Sequence, residues 1–295
     1  LGSTAGLTSF TNNAASITLT GTVANVNAAL NGLTYTGNLN FSGADSLLVS
    51  TNDNGNTGTG GPQNDTDSIT INVAAVNDAP VNSVPGTQTV NEDTNLVFTG
   101  ANAIAISDVD GGSGDQTVTL TVASGTLALG STLNLTSFTN NAASITLTGT
   151  IANINAALDG LTYHGNLNFN GADSLSIVTH DNGNTGGGDL TDTDSVTINV
   201  TAVNDAPSFT VGGTQTVLED SGAHTVNGFI TGISPGPADE VGQTVNFLTS
   251  NDNNALFSVA PTIDASGNLT YTLAANANGS AIVTVQLHDN GGGAN

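Results

Sequence analysis

The chain has 295 residues, of which 24 are acidic and none is Lys or Arg, so its formal net charge is −24. Without a basic side chain it cannot neutralise phosphate, which excludes nucleic-acid binding, and it cannot form Schiff bases, isopeptide cross-links or Arg clamps. Because Cys is absent, disulfides and thiolate metal sites are excluded too. No run has the length of a membrane span and no signal peptide opens the chain, so we expect a segment internal to a longer protein.

Asn, Thr, Ser and Gly are abundant, and such a composition is also found in disordered chains. Here 37% of the residues are hydrophobic, and the Val, Ile and Leu among them alternate regularly with polar residues. Disordered acidic chains seldom show this pattern, so we expect a folded protein of two to three domains.

The sequence repeats itself. Leu7–Thr22 recurs without change as Leu135–Thr150, at an offset of 128 residues (135 minus 7). The motif Val-Asn-Asp-Ala-Pro, which ends at Pro80, returns ending at Pro207, an offset of 127 residues, because one residue is missing from the Gly-rich loop between the two matches. A length change in that loop indicates an exposed connection.

The Val-Asn-Asp-Ala-Pro motif divides the chain into three parts. Residues 78–204 form one complete repeat, residues 1–77 match the C-terminal part of such a repeat, and residues 205–295 begin a shorter repeat that lacks the last strand. Two explanations are open. One is a longer tandem array that continues both ways, and the other is strand exchange between neighbouring chains in a fibre, by analogy with donor-strand complementation.

Alternation of apolar and polar residues predicts strands along the whole chain. The clearest segments are Ser16–Thr20, Thr87–Val90, Thr117–Val122, Ser195–Val200 and Ile282–Leu287. Val23–Leu33 and Ile151–Leu161 instead place apolar residues at helical spacing, which predicts a short helix between two strands. The predicted fold class is therefore all-β, with tandem Ig-like β-sandwiches and a short helix in each of the longer repeats.

Acidic and amide side chains recur in the predicted loops and at the junctions between repeats. Those that we consider candidate metal ligands are Asn77, Asp78, Glu92, Asp93, Asp108, Asp110, Asp181, Asp192, Asp194, Asn204, Asp205, Glu219, Asp220, Asp239, Glu240 and Asp289.

These residue types suit Ca²⁺, which binds about six to eight oxygen atoms from carboxylates, amides and backbone carbonyls. Asp108 and Asp110 are two residues apart, so an extended segment places both carboxylates on one side. Since no Lys or Arg can pair with them, clustered carboxylates repel one another and a metal ion is their natural counter-charge. The alternative is that Asp and Asn only form solvated turns. We favour that alternative for isolated residues such as Asp45 and Asp264, and Ca²⁺ for the junction set.

Other kinds of site are not indicated. No stretch fits an EF-hand loop. His180 and His288 hold the place that Asn52 holds in the first repeat, and His164 and His224 complete no zinc or copper pattern. No nucleophile elbow or catalytic triad is recognisable, and a chain without Trp offers little for a glycosidase cleft, so we do not expect an enzyme.

The motifs resemble the bacterial cadherin-like tandem repeats of large secreted adhesins of the type I secretion, RTX type. The resemblance rests on Val-Asn-Asp-Ala-Pro followed by Glu-Asp, seen as Asn204–Pro207 with Leu218–Asp220, and on Ala-Asn-Ile-Asn-Ala-Ala-Leu in the longer repeats. It implies Greek-key sandwiches end to end, export without disulfides, and Ca²⁺ at the domain junctions.

The resemblance also suggests ligands. Glu92, Asn77–Asp78 and Asp108 with Asp110 are similar to the cadherin ligands, and so are Glu219 and Asn204–Asp205. The linker is shorter than the cadherin form, and the third repeat has no Asp-x-Asp, with Asp239–Glu240 as its candidate replacement. We therefore expect one or two ions at each junction rather than three.

We interpret the chain as a stretch of an extracellular, cell-surface adhesin or stalk that Ca²⁺ stiffens, as would serve adhesion and biofilm formation. Its partners would be neighbouring repeats of the same chain. Two alternatives are a module that binds surface glycans, ice or a host surface, and a subunit of a self-assembling filament or sheath that packs against other copies of itself. At a net charge of −24, such packing requires cations that screen the repulsion.

Overall fold

The computed structural model describes residues 1–291, and it confirms the all-β fold class. The chain divides into two compact units. The first comprises Leu1–Pro80, Asp108–Gly114 and Asp181–Leu190, and the second comprises Val81–Ser107, Asp115–His180 and the residues from Thr191 onward. Within residues 1–291, neither helix has the length and apolar character needed to cross a membrane.

The first repeat contains four strands and one helix. They are β1 (Ser9–Phe10), β2 (Leu19–Thr20), α1 (Val23–Leu30), β3 (Gly43–Asn52) and β4 (Asn64–Val73). Strand β1 pairs with β2, and β3 pairs with β4 as a long antiparallel hairpin.

The complete repeat contains eleven strands and one helix, and Gly100–Asn102 forms a 3-10 turn. The elements are β5 (Val81–Ser83), β6 (Gln88–Asn91), β7 (Asn95–Phe98), β8 (Ala105–Ser107), β9 (Asp115–Thr121), β10 (Gly125–Ala128), β11 (Ser137–Phe138), β12 (Ser144–Thr150), α2 (Ile151–Leu158), β13 (Leu161–Gly165), β14 (Gly171–His180) and β15 (Thr191–Thr201).

Two main sheets enclose the core of the complete repeat. One has six strands in the order β11-β12-β9-β14-β15-β6, and the other has three in the order β10-β13-β7. Strands β15 and β6 pair in parallel, whereas the other neighbours in these sheets are antiparallel. Leu120 and Leu147 of the larger sheet, Tyr163 of the smaller sheet, and Ile154 and Leu158 of α2 are fully buried in one cluster. This arrangement is a β-sandwich with a helix at its side.

The predicted helices form, but they are shorter than predicted. Each begins after a Thr whose hydroxyl accepts a hydrogen bond from the helix, Thr22 from Asn25 N–H (3.3 Å) and Thr150 from Asn153 N–H (3.4 Å). Helix α2 ends at Leu158 because Gly160 has φ +86°, a conformation that stops a helix. Leu161, predicted as the last helical residue, instead opens β13.

Identical sequence forms different structure in the two long repeats. Of the predicted strand Ser16–Thr20, only the two residues of β2 form a strand. The matching segment of the complete repeat belongs to the seven-residue strand β12. Strand β12 owes its length to β9, with which it pairs along all seven residues. Residues 1–77 contain no counterpart of β9, so neighbouring strands decide how much of this sequence becomes a strand.

The third repeat, within the described residues, has seven strands and two 3-10 turns, Ala238–Glu240 and Asn254–Leu256. The strands are β16 (Ser208–Val211), β17 (Ala223–Val226), β18 (Ile230–Ser234), β19 (Val245–Asn251), β20 (Phe257–Ile263), β21 (Leu269–Leu273) and β22 (Val283–Asp289). Its core is small: Ile230, Ile263, Leu269 and Tyr271 are buried, and phenyl rings pack around them. Phe209 and Phe247 meet edge to face at 5.7 Å.

Candidate metal sites at the repeat junctions

The second junction, which we define as the residues around Asn204–Asp205, is held by two buried glutamates. Glu92 Oε1 accepts a hydrogen bond from Val203 N–H at 2.6 Å, and its Oε2 accepts one from Asn170 Nδ2 at 3.3 Å. Glu240 Oε1 accepts one from Asp205 N–H at 2.8 Å. Glu92 is 3% exposed and Glu240 is 4% exposed. Each glutamate therefore anchors the linker backbone from one side.

The Asn204 side chain connects the linker to the third repeat. Its Nδ2 donates to Asp289 Oδ1 (3.2 Å), and its Oδ1 accepts from Gln243 Nε2 (3.0 Å). Asp289 Oδ1 also accepts a hydrogen bond from Gly291 N–H at 2.9 Å, which closes the turn after β22. Asn204 is thus a bridge that uses both ends of its amide.

Two oxygen atoms at this junction are buried without a hydrogen-bond partner, Glu240 Oε2 and Gln243 Oε1. Leaving a buried acceptor unsatisfied costs about 1–3 kcal/mol, and more for a charged group. The backbone also crowds the carboxylate, because a Cβ added at Gly236 would lie 1.7 Å from Glu240 Oε2. A larger residue there would displace the carboxylate, so Glu240 Oε2 lies directly against the backbone of Gly236.

The carboxylates of the second junction lie close enough to influence one another. The pKa of Asp205 is raised by burial, and further by the charges of Glu240, Asp93, Glu92 and Asp239. Since the chain has no Lys or Arg, no basic side chain offsets this concentration of charge. Such a set of carboxylate and amide oxygens suits a hard cation.

The first junction, around Asn77–Asp78, is built on the same plan. Asn77 Nδ2 donates to Asp181 Oδ2 and to the carbonyl of Gly188 (2.9 Å). Asp78 N–H donates to Asp110 Oδ2 at 3.2 Å. Asn77 and Asp78 therefore have the same two kinds of contact as Asn204 and Asp205, an amide to an Asp and a backbone N–H to a carboxylate.

Asp110 is the counterpart of Glu240 at this junction. Its N–H donates to Asp108 Oδ1 (3.2 Å) and its carbonyl accepts from Thr185 Oγ1 (2.7 Å), which fixes the Asp-x-Asp turn. Its Oδ1 is buried without a hydrogen-bond partner. Burial raises the pKa of Asp110, and the adjacent Asp108 and Asp78 carboxylates raise it further. Asp110 of the Asp-x-Asp motif is therefore the member that contacts the linker, through Asp78 N–H.

Asp181 closes the long loop that follows β14. It is 1% exposed, and its Oδ1 accepts from Gly183 N–H and from Leu190 N–H, both at 2.8 Å. Burial opposes ionisation, but these hydrogen bonds and that from Asn77 outweigh it and lower the pKa of Asp181. Asp53 makes the same pair of contacts in the first repeat, at 2.9 Å each. Asp181 Oδ1 is thus occupied by two backbone N–H groups of its own loop, and its main role is to hold that loop.

Four of the candidate ligands have other surroundings. Asp192 Oδ2 accepts a hydrogen bond from Asn82 N–H of β5 (2.7 Å), and Asp194 lies within β15 opposite Ile177. Asp220 Oδ1 accepts from Asn276 N–H (2.8 Å), much as Asp93 Oδ1 accepts from Asn168 N–H (3.0 Å). The fourth, Glu219, is exposed.

The sequence analysis did not identify Gln243 or Asn170 as junction residues. Both are amides outside the linker, whereas the predicted ligands are acidic residues and the Asn residues of the linker motif. Gln243 lies three residues after Glu240, which was predicted as a ligand, and this short spacing was the available signal. Within residues 1–291, no three His, Asp or Glu side chains converge as a preformed metal cluster.

A family model described as "Protein GAMETE EXPRESSED 2 domain" matches residues 3–60 and 103–189, just under half of the chain. Both matched segments end in the Gly-rich loop, in agreement with the internal repeat. No curated protein sequence matches the chain.

Solved structures that are similar to the chain at a low level include the following three. The chain is 18% identical to AggA, the major subunit of aggregative adherence fimbriae type I from Escherichia coli, over 43% of this chain and 99% of that one, with a TM-score of 0.25. It is 11% identical to the human desmocollin-1 ectodomain (83% and 43%, TM-score 0.24) and 13% identical to an endo-fucoidan hydrolase of glycoside hydrolase family 107 (97% and 37%, TM-score 0.24). The chain thus spans less than half the length of the last two.

Proposed function

We propose that this chain is a structural repeat segment of an extracellular bacterial adhesin or stalk, in which Ca²⁺ at the junctions fixes neighbouring repeats and so supports adhesion at the cell surface. The observation that carries the proposal is the set of buried, unpartnered oxygens beside the linker, Glu240 Oε2 and Gln243 Oε1 at the second junction and Asp110 Oδ1 at the first. An all-oxygen donor set of this kind fits Ca²⁺ better than a transition metal.

The residues of each junction would act in two ways. Glu92 and Glu240 hold the linker backbone through Val203 N–H and Asp205 N–H, which fixes the linker between a carboxylate of each repeat. A bound ion would supply the positive charge that the sequence lacks. Without that charge, the buried carboxylates repel one another, and the junction is the part of the fold that this repulsion weakens.

The test is thermal unfolding of the protein with calcium and with chelator. An ion at a hundred times its dissociation constant stabilises by about 2.7 kcal/mol. For the larger unit, that corresponds to a rise in melting temperature of about 5–10 °C, and for the smaller unit to about twice as much. An unchanged melting temperature would overturn the proposal.

Glu240→Gln makes the test specific, because the sign of its effect depends on calcium. With chelator, the variant removes a buried charge next to Asp205 while its amide oxygen still accepts from Asp205 N–H, so its stability should equal or exceed that of the parent protein. With calcium, the variant should show only a small part of the rise in melting temperature that the parent protein shows. Asp67→Asn, which removes an exposed charge on β4, is the matched control and should keep the full rise.

A parallel experiment addresses the first junction. Asp108→Asn together with Asp110→Asn should reduce the calcium response of the unit that contains them, because Asp110 Oδ1 is the buried oxygen there. Amide hydrogen exchange assigns the response to segments of the chain. A response unaffected by both sets of variants would show that calcium acts elsewhere.

A further inference from the structure

The complete repeat buries a hydroxyl group against a side-chain amide. Thr179 Oγ1 of β14 donates a hydrogen bond to Asn82 Oδ1 of β5 at 2.6 Å. Thr179 is 0% exposed and Asn82 is 8% exposed. Asn82 Nδ2 is buried as well and has no hydrogen-bond partner. The two side chains are therefore held together away from water, while the NH2 group of the amide is held by no acceptor.

The fold itself does not require polar residues at these two positions. In the third repeat, Phe209 follows Ala-Pro at the same spacing as Asn82, and Leu287 precedes His-Asp-Asn-Gly as Thr179 does. Leu287 is 7% exposed, and Phe209 packs against the small core of that repeat. Since an apolar pair serves the third repeat at these positions, the buried Thr and Asn of the complete repeat need a reason beyond packing.

Asp192 lies beside both groups. In the antiparallel pairing of β14 and β15 it is directly opposite Thr179, and opposed residues have Cβ atoms about 5 Å apart on one face of a sheet. Asp192 Oδ2 accepts a hydrogen bond from Asn82 N–H at 2.7 Å. A carboxylate from a third strand therefore lies next to the hydroxyl and the amide.

We propose that Thr179 and Asn82 form an intramolecular ester cross-link between β14 and β5. Thr179 Oγ1 forms a bond to Asn82 Cγ, the Cγ–Nδ2 bond breaks, and the nitrogen leaves as ammonia with the hydroxyl proton. Atoms and charges balance without a further reactant. Since a C=O bond is about 1.23 Å long, Thr179 Oγ1 lies within about 3.8 Å of Asn82 Cγ, near the separation of about 3–3.5 Å at which reacting atoms are poised.

The surroundings of the pair favour this reaction and preserve its product. A Thr hydroxyl is a weak nucleophile that needs an adjacent base, and Asp192 is placed to take its proton and pass it to the departing nitrogen. Loss of ammonia also removes the buried NH2 donor, whose lack of a partner is unfavourable. Because solvent does not reach Thr179, the ester is protected from hydrolysis.

The cross-link would act at the strand through which the chain enters the repeat. Strand β5 pairs with β8 over only three residues, so these backbone hydrogen bonds attach it weakly. A covalent bond from Asn82 to Thr179 carries tension from β5 directly into β14, and residues 83–178 are then protected from unfolding under load. This consequence rests on the proposed stalk function, whereas the cross-link itself does not.

The mass of the intact, denatured chain tests the cross-link. The parent protein should be lighter than its sequence by one ammonia. Thr179→Val, which has no hydroxyl, should have the full mass of its sequence, and Thr179→Ser, which keeps the hydroxyl, should again be lighter by one ammonia. A parent protein of full mass would overturn the proposal. A loss that persists in Thr179→Val would also overturn it, because the Asn-Gly sequences of the chain can release ammonia too.

Peptide mapping identifies the bond that forms. Pepsin digestion of the parent protein should yield a peptide containing Asn82 joined to a peptide containing Thr179. Mild alkali should separate the two, because it hydrolyses an ester and leaves an amide intact. Separate peptides before alkali, or a joined pair that resists it, would overturn the ester.

Two aspartate variants test the role of Asp192. Asp192→Asn should slow cross-linking about a hundredfold, as expected for the loss of a positioned base, measured as the cross-linked fraction over time after purification. Asp194→Asn, two residues further along β15, should cross-link as the parent protein does. Equal rates for the two variants would overturn this role.

Calcium separates the cross-link from the proposed function. The loss of ammonia should be the same in protein prepared with calcium and with chelator, because no ion takes part in the reaction. A lighter parent protein whose melting temperature ignores calcium supports the ester and overturns the ion. A parent protein of full mass whose melting temperature rises with calcium supports the ion and overturns the ester.

Discussion

Leu30 and Leu158 provide a direct measure of what the neighbouring strands contribute. Both end the same helical sequence, but Leu158 is fully buried and Leu30 is 36% exposed. Replacing each with Ala changes helix propensity very little and by the same amount in both helices. The difference between the two variants therefore reports tertiary packing.

The expected magnitudes follow from burial. Leu158→Ala removes three carbon groups from a closed core, about 2.4 kcal/mol at about 0.8 kcal/mol each. The cavity left behind brings the total to about 3–5 kcal/mol. At Leu30 only about two thirds of the side chain is covered and no closed cavity forms, so Leu30→Ala should cost about 1.5 kcal/mol or less.

Native-state amide hydrogen exchange, read on the peptides that contain each helix, gives the opening free energy of each segment separately. A difference of about 2 kcal/mol means that Leu158→Ala raises the opening constant of its helix by a factor about 30 times larger than Leu30→Ala raises that of its own. Equal losses at the two positions would show that helix α1 is as well enclosed as α2, and would refute the reasoning that the exposure of Leu30 reflects weaker packing.

Two predictions concern the buried tyrosine. Tyr163 O–H donates to Asp173 Oδ2 (3.0 Å), so Tyr163→Phe should cost about 1.5–3 kcal/mol in denaturant unfolding, whereas the matched Tyr35→Phe in the open first repeat should cost less. Burial and then the Asp173 charge raise the pKa of Tyr163, so its contribution is complete below pH of about 10, the unfolded pKa, and is lost as pH rises through the folded value. Melting temperatures across alkaline pH should therefore fall less steeply for Tyr163→Phe than for the parent protein, and parallel curves would contradict this assignment.

The sequence pattern predicted strands well where a partner strand is present. Thr117–Val122 and Ser195–Val200 fall within or beside β9 and β15, because period-two alternation and β-branched residues favour a half-buried strand. Ser16–Thr20 has the same pattern, but most of it is not a strand. Alternation of apolar and polar residues shows that a segment can pair as a strand. Whether it does so depends on a partner strand elsewhere in the chain.

The junction residues were predictable in type but not in arrangement. The linker motif and the Asp-x-Asp motif indicated the residue types of the junction, and the turn in which Asp110 N–H donates to Asp108 Oδ1 is a local feature that the spacing predicts. The burial of Glu240 and the loop role of Asp181 depend on long-range contacts, to Asp205 N–H and Asn77 respectively. Spacing along the chain carries no information about these distances.

The strength of repulsion at a carboxylate depends more on where it lies than on how many acidic residues the chain has. The net charge of −24 is spread over strands and loops, where water and salt screen it within about 10 Å at ordinary ionic strength. Screening is weakest for the oxygens that solvent does not reach, Asp110 Oδ1 and Glu240 Oε2. Both belong to side chains that also accept the backbone N–H of an Asp in the linker, Asp78 and Asp205. Removing the repulsion at these oxygens therefore acts on the linker backbone itself, and we expect a change of charge there to alter how the linker is held and the same change on β4 to leave it unaltered.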